Sequence, residues 1–177
     1  MKKPAIILVA LLACFAIAEP IKLSTITFMD LASFEYQPEP PEEDGRIERT
    51  DKEYLSSVLP ENVLSLNGQS IEVAGYMMPL SITGDKVREF LLLPNTMACC
   101  FGMMPAYNEF IFVKMPSGAG MLENVPIRVQ GRFSIEETWE DGFFSHLYYM
   151  KGSRVEIGHG SAANLPPLLE SINQEFP

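Results

Sequence analysis

The chain has 177 residues, 47% of them hydrophobic, and its 13 basic and 23 acidic side chains give a formal charge of −10. This length suits one compact domain with appendages, and so large an apolar share excludes a wholly disordered chain. The acidic balance argues against a nucleic-acid partner, because a phosphate backbone needs a basic face. No apolar run approaches the ~20 residues that span a bilayer, so we expect no transmembrane segment.

The N-terminus has the order of an export signal. Residues 1–4 form a short, positively charged segment, and residues 5–15 are apolar. Ala16 and Ala18 are the small residues that a signal peptidase recognises. We therefore predict a signal peptide over residues 1–18 and an exported protein, either periplasmic or associated with the cell envelope.

A second interpretation of this segment is a lipid anchor. Residues 11–14 resemble a lipoprotein box, in which Cys14 would carry the lipid and become the new N-terminus. Because residues 15–18 continue the apolar run, we favour simple cleavage after Ala18. An acyl chain on Cys14 would hold the protein at a membrane surface without inserting the domain.

An N-terminal arm and a linker follow, over residues 19–49. Residues 36–49 combine three prolines and a glycine with a dense acidic run, Glu39, Glu42, Glu43 and Asp44. Such a composition cannot bury enough apolar surface to order itself, so we predict a solvated linker. Residues 50–53 have the spacing of a capping box, which predicts a short helix that Pro60 ends.

Short strands and turns dominate the chain from Leu66 onward. Residues 127–133 alternate apolar with polar side chains, which is the period of a half-buried strand. Gly75 and Gly131 inside such segments indicate bends or bulges. The predicted strands occupy residues 70–76, 89–93, 109–115, 127–133, 144–150 and 154–157, with a turn at 151–153 between the last two.

These segments predict an all-β fold, a small OB-like barrel of five to six short strands over residues 50–160. The arm and linker of residues 19–49 precede it. A tail over residues 161–177 follows, and its apolar side chains at helical spacing predict a short C-terminal helix.

The cluster richest in chemistry lies near the middle of the chain. Cys99 and Cys100 are adjacent, and Met97, Met103 and Met104 surround them. Adjacent Cα atoms are about 3.8 Å apart, below the usual ~4.4–6.8 Å range of a disulfide, so this pair would bond to itself only through a strained ring. Thiolates and thioethers together suit Cu(I), and thiolates alone suit Zn.

Three interpretations of this cluster stay open. The thiols are inert, buried structural groups, as free cysteine often is. Alternatively, Cys99 and Cys100 cycle as a vicinal redox pair, although the C-x-x-C spacing of such proteins is missing. In the third interpretation Cys99, Cys100, Met103 and Met104 bind a soft metal, although a second C-x-x-C or a histidine pair at ligand spacing is missing.

The other polar candidates indicate structural roles. His146 and His159 stand 13 residues apart, and we expect structural histidines rather than ligands. The chain has no G-x-S-x-G, H-E-x-x-H, P-loop or Rossmann motif, so we expect no enzyme. Two acidic pairs at 136–137 and 140–141 lie just before a turn at Gly142 and predict a solvated hairpin tip rather than acid–base catalysis.

Aromatic side chains stand beside these acids. Trp139, Phe143 and Phe144 either form an exposed contact patch or fold under the tip as a plug, and the sequence leaves both alternatives open.

Several of these motifs together resemble a known family. Residues 66–68 and 73–80, then 89–93, precede a Cys99-Cys100-Phe101-Gly102 block that is followed by Pro105 and Asn108. With these motifs, the chain resembles the exported bacterial proteins of domain-of-unknown-function family 3299 over about residues 25–157. Residues 25–31 resemble the short arm of that family, with Phe28 where many members have Trp, whereas the acidic linker is particular to this chain.

The resemblance implies an exported OB-like β-domain with no assigned activity and an association with envelope transport. We therefore expect a non-enzymatic accessory or binding protein of the envelope with a transport-associated protein partner. Its soft metal, Zn or Cu, would bind at Cys99 and Cys100 with help from Met103 or Met104. The alternatives are a thiol–disulfide protein and a plain interaction module with structural cysteines.

Overall fold

The computed structural model describes residues 23–38, 51–97 and 102–158. The predictions for the signal peptide, Cys14, the pair Cys99–Cys100, His159, the C-terminal helix and most of the acidic linker lie outside them. The elements of the described residues are β1 (Leu23–Ile26), α1 (Phe28–Leu31), α2 (Asp51–Val58), α3 (Glu61–Leu64), β2 (Ser70–Thr83), β3 (Lys86–Leu93), β4 (Ile111–Ala119), β5 (Ile127–Glu140) and β6 (Phe143–Ile157).

Five strands close into a ring in the order β2–β3–β4–β6–β5 and back to β2. Neighbouring strands of the ring are antiparallel except β4 and β6, which run parallel. The sixth strand, β1, lies parallel to the first residues of β2. The predicted all-β fold of five to six strands is therefore confirmed.

The strands are longer than the predicted ones, and one predicted turn is wrong. Residues 144–150 and 154–157 belong to one strand, β6, of 15 residues. Gln130 pairs with Arg154 and Gly131 pairs with Gly152, so Ser153 is the extra residue of a β-bulge rather than part of a turn. Pairing with β5 on both sides of this point keeps the strand continuous, and a bulge absorbs one residue without reversing the chain.

Gly75 and Gly131 lie where two backbones approach closely. A Cβ on Gly75 would stand 2.6 Å from the carbonyl oxygen of Leu93, at the point where β2 changes partner from β5 to β3. A Cβ on Gly131 would stand 2.6 Å from the carbonyl oxygen of Lys151, at the bulge. The bulge predicted at Gly131 is confirmed, whereas Gly75 lies in regular pairing, at a close backbone approach and a change of partner strand.

The described part of the N-terminal arm, residues 23–38, belongs to the same core as the ring. Leu31 is fully buried and Tyr36 is 4% exposed. The hydroxyl of Tyr148 on β6 donates a 2.9 Å hydrogen bond to the carbonyl oxygen of Leu31. The arm is thus held by burial and by hydrogen bonds to the ring as well as by its own strand.

Two short helices, α2 and α3, precede β2 in the chain. The helix predicted to end at Pro60 is α2, and α3 follows directly after that proline. Leu55, Leu59 and Val63 of this segment are buried in the core. In the described part of the chain, none of the helices combines the length and the apolar character that crossing a bilayer requires.

Candidate functional site

The candidate metal site lies in the connection from β3 to β4. We call residues 97–105 the cysteine loop. Cys99 and Cys100 fall outside the described residues, whereas Met103 and Met104 are 52% and 77% exposed. The thioethers of Met103 and Met104 therefore face solvent, three and four residues after Cys100 in the chain.

The first end of the cysteine loop is closed by a local hydrogen bond. The backbone N–H of Met97 donates to the side-chain oxygen of Asn95 at 2.9 Å. An Asn side chain that bonds to the backbone two residues later makes a turn without help from other elements. This contact orients the chain just after β3 ends at Leu93.

The second end is closed by a reciprocal pair of bonds. The N–H of Ala106 donates to a carboxylate oxygen of Glu109 at 2.9 Å, and the N–H of Glu109 donates to the carbonyl oxygen of Ala106 at the same distance. The chain between them makes a tight turn that leads into β4. A local hydrogen bond therefore defines the backbone conformation at each end of the loop.

Asn108 connects this turn to the N-terminal arm. Its side chain is 2% exposed, and its Nδ2 donates a 2.6 Å hydrogen bond to the carbonyl oxygen of Phe34. The family resemblance placed Asn108 in the cysteine block, and the structure shows that this side chain holds the turn after the cysteine loop against the arm.

Five aromatic side chains gather beside the second end of the loop. We call them the aromatic cluster; its members are Phe34, Tyr36, Tyr107, Trp139 and Phe144. The ring of Phe144 lies 5.0 Å from Tyr107, 5.6 Å from Trp139 and 6.5 Å from Tyr36, between centroids. Edge-to-face pairs at such distances contribute about 0.5–1.5 kcal/mol beyond burial. The arm, the cysteine-loop exit and the β5–β6 hairpin thus meet at Phe144.

The β5–β6 hairpin resolves the two alternatives for its aromatic tip. Trp139 and Phe144 fold under it as part of the cluster, whereas Phe143 is 76% exposed. Asp141 and Gly142 both have positive φ, 51° and 81°, as a two-residue hairpin turn with an Asp-Gly sequence requires. One aromatic ring therefore stays at the surface and two are partly buried.

Among the acids of this hairpin, Glu137 differs from its neighbours. It is 8% exposed and lies where the pairing of β5 shifts register, between Ile135 and Thr138. Glu140 and Asp141 are exposed at the tip, as expected of a solvated turn. The alternation of buried and accessible side chains along β5 continues from Phe133 through Ile135 to Glu137, so this period of two was the sequence signal that could have predicted the burial of Glu137.

His146 is a buried aromatic partner in this structure. Its ring stacks on Phe112 with centroids 4.8 Å apart and planes 18° apart, and Ser145 Oγ lies 3.0 Å from its Nδ1. Burial lowers the pKa of His146 from its ordinary value of 6.5, and the charge of Glu140 opposes that shift. Burial therefore favours the neutral form of the imidazole.

In the described ranges, no three His, Cys, Asp or Glu side chains are grouped so that they could hold a metal ion. The soft ligands of the cysteine loop are the thioethers of Met97, Met103 and Met104, of which the last two are exposed, and the thiols of Cys99 and Cys100, which are known from the sequence alone. Such a set suits a soft cation such as Cu(I).

Comparisons with known proteins agree on one family. A family model described as "Protein of unknown function (DUF3299)" matches residues 35–157. The crystal structure of a DUF3299 family protein from Pseudomonas aeruginosa PAO1 is similar, with 26% sequence identity and a TM-score of 0.57. The match covers 79% of this chain and 99% of that one. A search of the curated proteins found no match.

Proposed function

The chain belongs to the DUF3299 family, and on that premise we propose that it is an exported, non-enzymatic accessory protein of the cell envelope. In this proposal the cysteine loop binds a soft metal ion, Cu(I) or Zn(II), and delivers or senses it for a transport-associated partner. Cys99 and Cys100 supply thiolates, and Met103 or Met104 adds a thioether.

The observation that carries the proposal is the exposure of two adjacent methionines. Met103 is 52% and Met104 is 77% exposed, although burying a methionine side chain stabilises a fold by about 1.5–3 kcal/mol. Loops that only connect strands usually carry small or polar residues at such positions. Two solvent-facing thioethers next to two thiols of the same short stretch are what a soft cation would select.

The anchored ends of the loop support the same function. Hydrogen bonds at Asn95 and at Glu109 hold the chain on either side of the ligand-bearing stretch. Anchored ends reduce the conformational entropy that a metal ion must remove when it binds. The net charge of −10 adds a weak attraction for cations, which salt screens within about 8–10 Å.

Competition titrations test the proposal directly. The mature protein would be titrated anaerobically with Cu(I) against bicinchoninate and with Zn(II) against a chromophoric chelator. We expect one ion per chain in the parent, loss of both metals in Cys99→Ser/Cys100→Ser, and weaker Cu(I) but unchanged Zn(II) binding in Met103→Leu/Met104→Leu.

The matched control is Met121→Leu, because Met121 is another exposed methionine, 44% accessible, outside the loop. Its Cu(I) affinity should equal that of the parent. Metal binding that survives in the double cysteine variant would contradict the proposal. Monomer mass before and after reduction separates the redox alternative, since a vicinal disulfide makes the chain two hydrogens lighter.

A protein-interaction module is the second candidate, and Phe143 favours it. This ring is 76% exposed at the tip of the β5–β6 hairpin, beside the aromatic cluster. If the cysteines are inert, the Cys99→Ala/Cys100→Ala variant still binds the envelope partner, whereas Phe143→Ser does not. The reverse pattern is expected of the metal site.

A further inference from the structure

Three basic side chains lie in one row across the outer face of the ring. Arg132 on β5 is directly opposite Lys151 on β6, and Lys151 is the register partner of Lys114 on β4. All three are exposed. Their chain neighbours Phe133, Met150 and Val113 are buried, so the three charges share the solvent-facing side of the sheet. We call Arg132, Lys151 and Lys114 the basic row.

The row is narrow, because neighbouring strands are about 4.8 Å apart. Three positive charges therefore emerge from backbone positions within about 10 Å of one another. Ser70 on β2 continues the row beyond Arg132, and Glu89 on β3 continues it beyond Lys114. The basic row is therefore a local region of positive charge on a chain whose net charge is −10.

Only one end of the basic row is neutralised. Lys114 Nζ lies 2.8 Å from a carboxylate oxygen of Glu89, and that hydrogen bond raises the pKa of Lys114. Nearby, Arg154 forms its own ion pair with Glu156. Within the three described ranges, no carboxylate forms an ion pair with Arg132 or Lys151.

Arg132 and Lys151 are like charges directly opposite each other, an arrangement that destabilises an antiparallel pair. An anionic ligand that bridges them would convert this repulsion into attraction.

We propose that the basic row is a docking site for an acidic polypeptide segment of a partner protein, separate from the cysteine loop. The guanidinium of Arg132 can hold one carboxylate in a fork of two hydrogen bonds, and Lys151 can hold the next as a point charge. In an extended segment, carboxylates at alternate positions lie about 7 Å apart on one face, which fits the spread of the row.

A polypeptide fits this surface better than a lipid bilayer. Surfaces that bind membranes combine basic with exposed apolar side chains. In the described residues, the register neighbours of the row are polar or partly buried, such as Ser70, Ser134 and Tyr149. A bilayer would also meet the negative charge of the whole protein, whereas a narrow segment contacts only the row, and salt at physiological strength screens charges beyond about 8 Å.

Fluorescence anisotropy with a labelled 12-residue peptide of alternating glutamate and serine tests the proposal. The full mature chain would be titrated at low and at physiological salt. We expect Arg132→Gln/Lys151→Gln to bind at least about tenfold more weakly than the parent. The matched control is Lys86→Gln, because Lys86 is an exposed lysine at the start of β3, outside the row; its affinity should change by less than about twofold.

The remaining outcomes overturn the proposal. Equal losses in the row variants and in Lys86→Gln would mean non-specific attraction. Binding to phosphatidylglycerol vesicles without binding to the peptide would assign the row to lipid, and no binding to either probe would assign it no ligand. The single variant Lys151→Gln keeps the test usable if the double variant folds poorly, and its melting temperature should not fall, because it removes a like-charge contact.

Discussion

Asn108 and Phe34 are joined by a 2.6 Å hydrogen bond although 74 residues separate them in the chain. The side chain of Asn108 is the donor and the backbone carbonyl of Phe34 is the acceptor. This bond fixes the exit of the cysteine loop to the N-terminal arm, at the edge of the aromatic cluster. It makes the position of the 106–109 turn depend on the arm.

Asn108→Ala should destabilise the fold and loosen the contact between the 106–109 turn and the arm. The variant leaves the carbonyl oxygen of Phe34 without this donor, which costs about 1–3 kcal/mol of unfolding free energy when the site is buried. Urea denaturation of the parent and the variant measures the change. Asn62→Ala is the control, because Asn62 is exposed on α3, and a change there of similar size would contradict the assigned role of Asn108.

The hydroxyl of Tyr148 should stabilise the fold. Tyr148→Phe tests this because the variant keeps the ring and removes only the hydroxyl. This fully buried side chain donates to the carbonyl oxygen of Leu31, and burial raises the pKa of its phenol, so the hydroxyl stays protonated. We expect the variant to lose about 1–3 kcal/mol of unfolding free energy.

The control for Tyr148 is its neighbour on the opposite face of β6. Tyr149 is only half-buried, and Tyr149→Phe should change the unfolding free energy by less than about 0.5 kcal/mol. Limited proteolysis gives a second readout, because a detached arm is cleaved faster. Equal stability of the two variants would show that the bond to Leu31 does not hold the arm.

His146 should make the folded state sensitive to acid. Burial lowers its pKa in the folded protein below the ordinary value of 6.5, so the unfolded chain binds its proton first as the pH falls. The stability that this histidine supports is complete above pH 6.5 and declines between 6.5 and its lower folded pKa.

The comparison of parent and His146→Gln isolates that contribution. Unfolding free energies measured from pH 8 to pH 5 should converge as the pH falls, because the carboxylates titrate alike in both proteins. A constant difference between parent and His146→Gln over this range would contradict the prediction.

Gly131→Ala tests the close backbone approach at the β6 bulge. The added Cβ would lie 2.6 Å from the carbonyl oxygen of Lys151 and 2.7 Å from the side chain of Met150, so the two strands must separate. Forced overpacking of this kind costs about 1–3 kcal/mol. Gly120→Ala is the control, because a Cβ there meets nothing within 4 Å. Thermal unfolding measures the melting temperatures of both variants. An unchanged melting temperature in Gly131→Ala would show that the two strands separate at little cost and would contradict the prediction.

Local patterns in the sequence were sufficient for the fold class and for several of its parts. The alternation over residues 127–133 marks which side of β5 is buried, because successive side chains of a strand point to opposite faces. The helix before Pro60 and the glycines at close approaches follow from equally local rules. Each of these depends on a residue and its nearest neighbours in the chain.

The tertiary structure decided what depends on pairing between distant segments. Lys151-Gly152-Ser153 has the composition of a turn, but continuous pairing with β5 makes it a bulge inside one strand. The stacking of His146 on Phe112 and the bond from Asn108 to the arm arise in the same way. The basic row exists only because three strands align at one register, and a slip of one residue would turn its side chains into the core. Residue type and spacing determine the local structure, whereas register between strands is set by the whole ring.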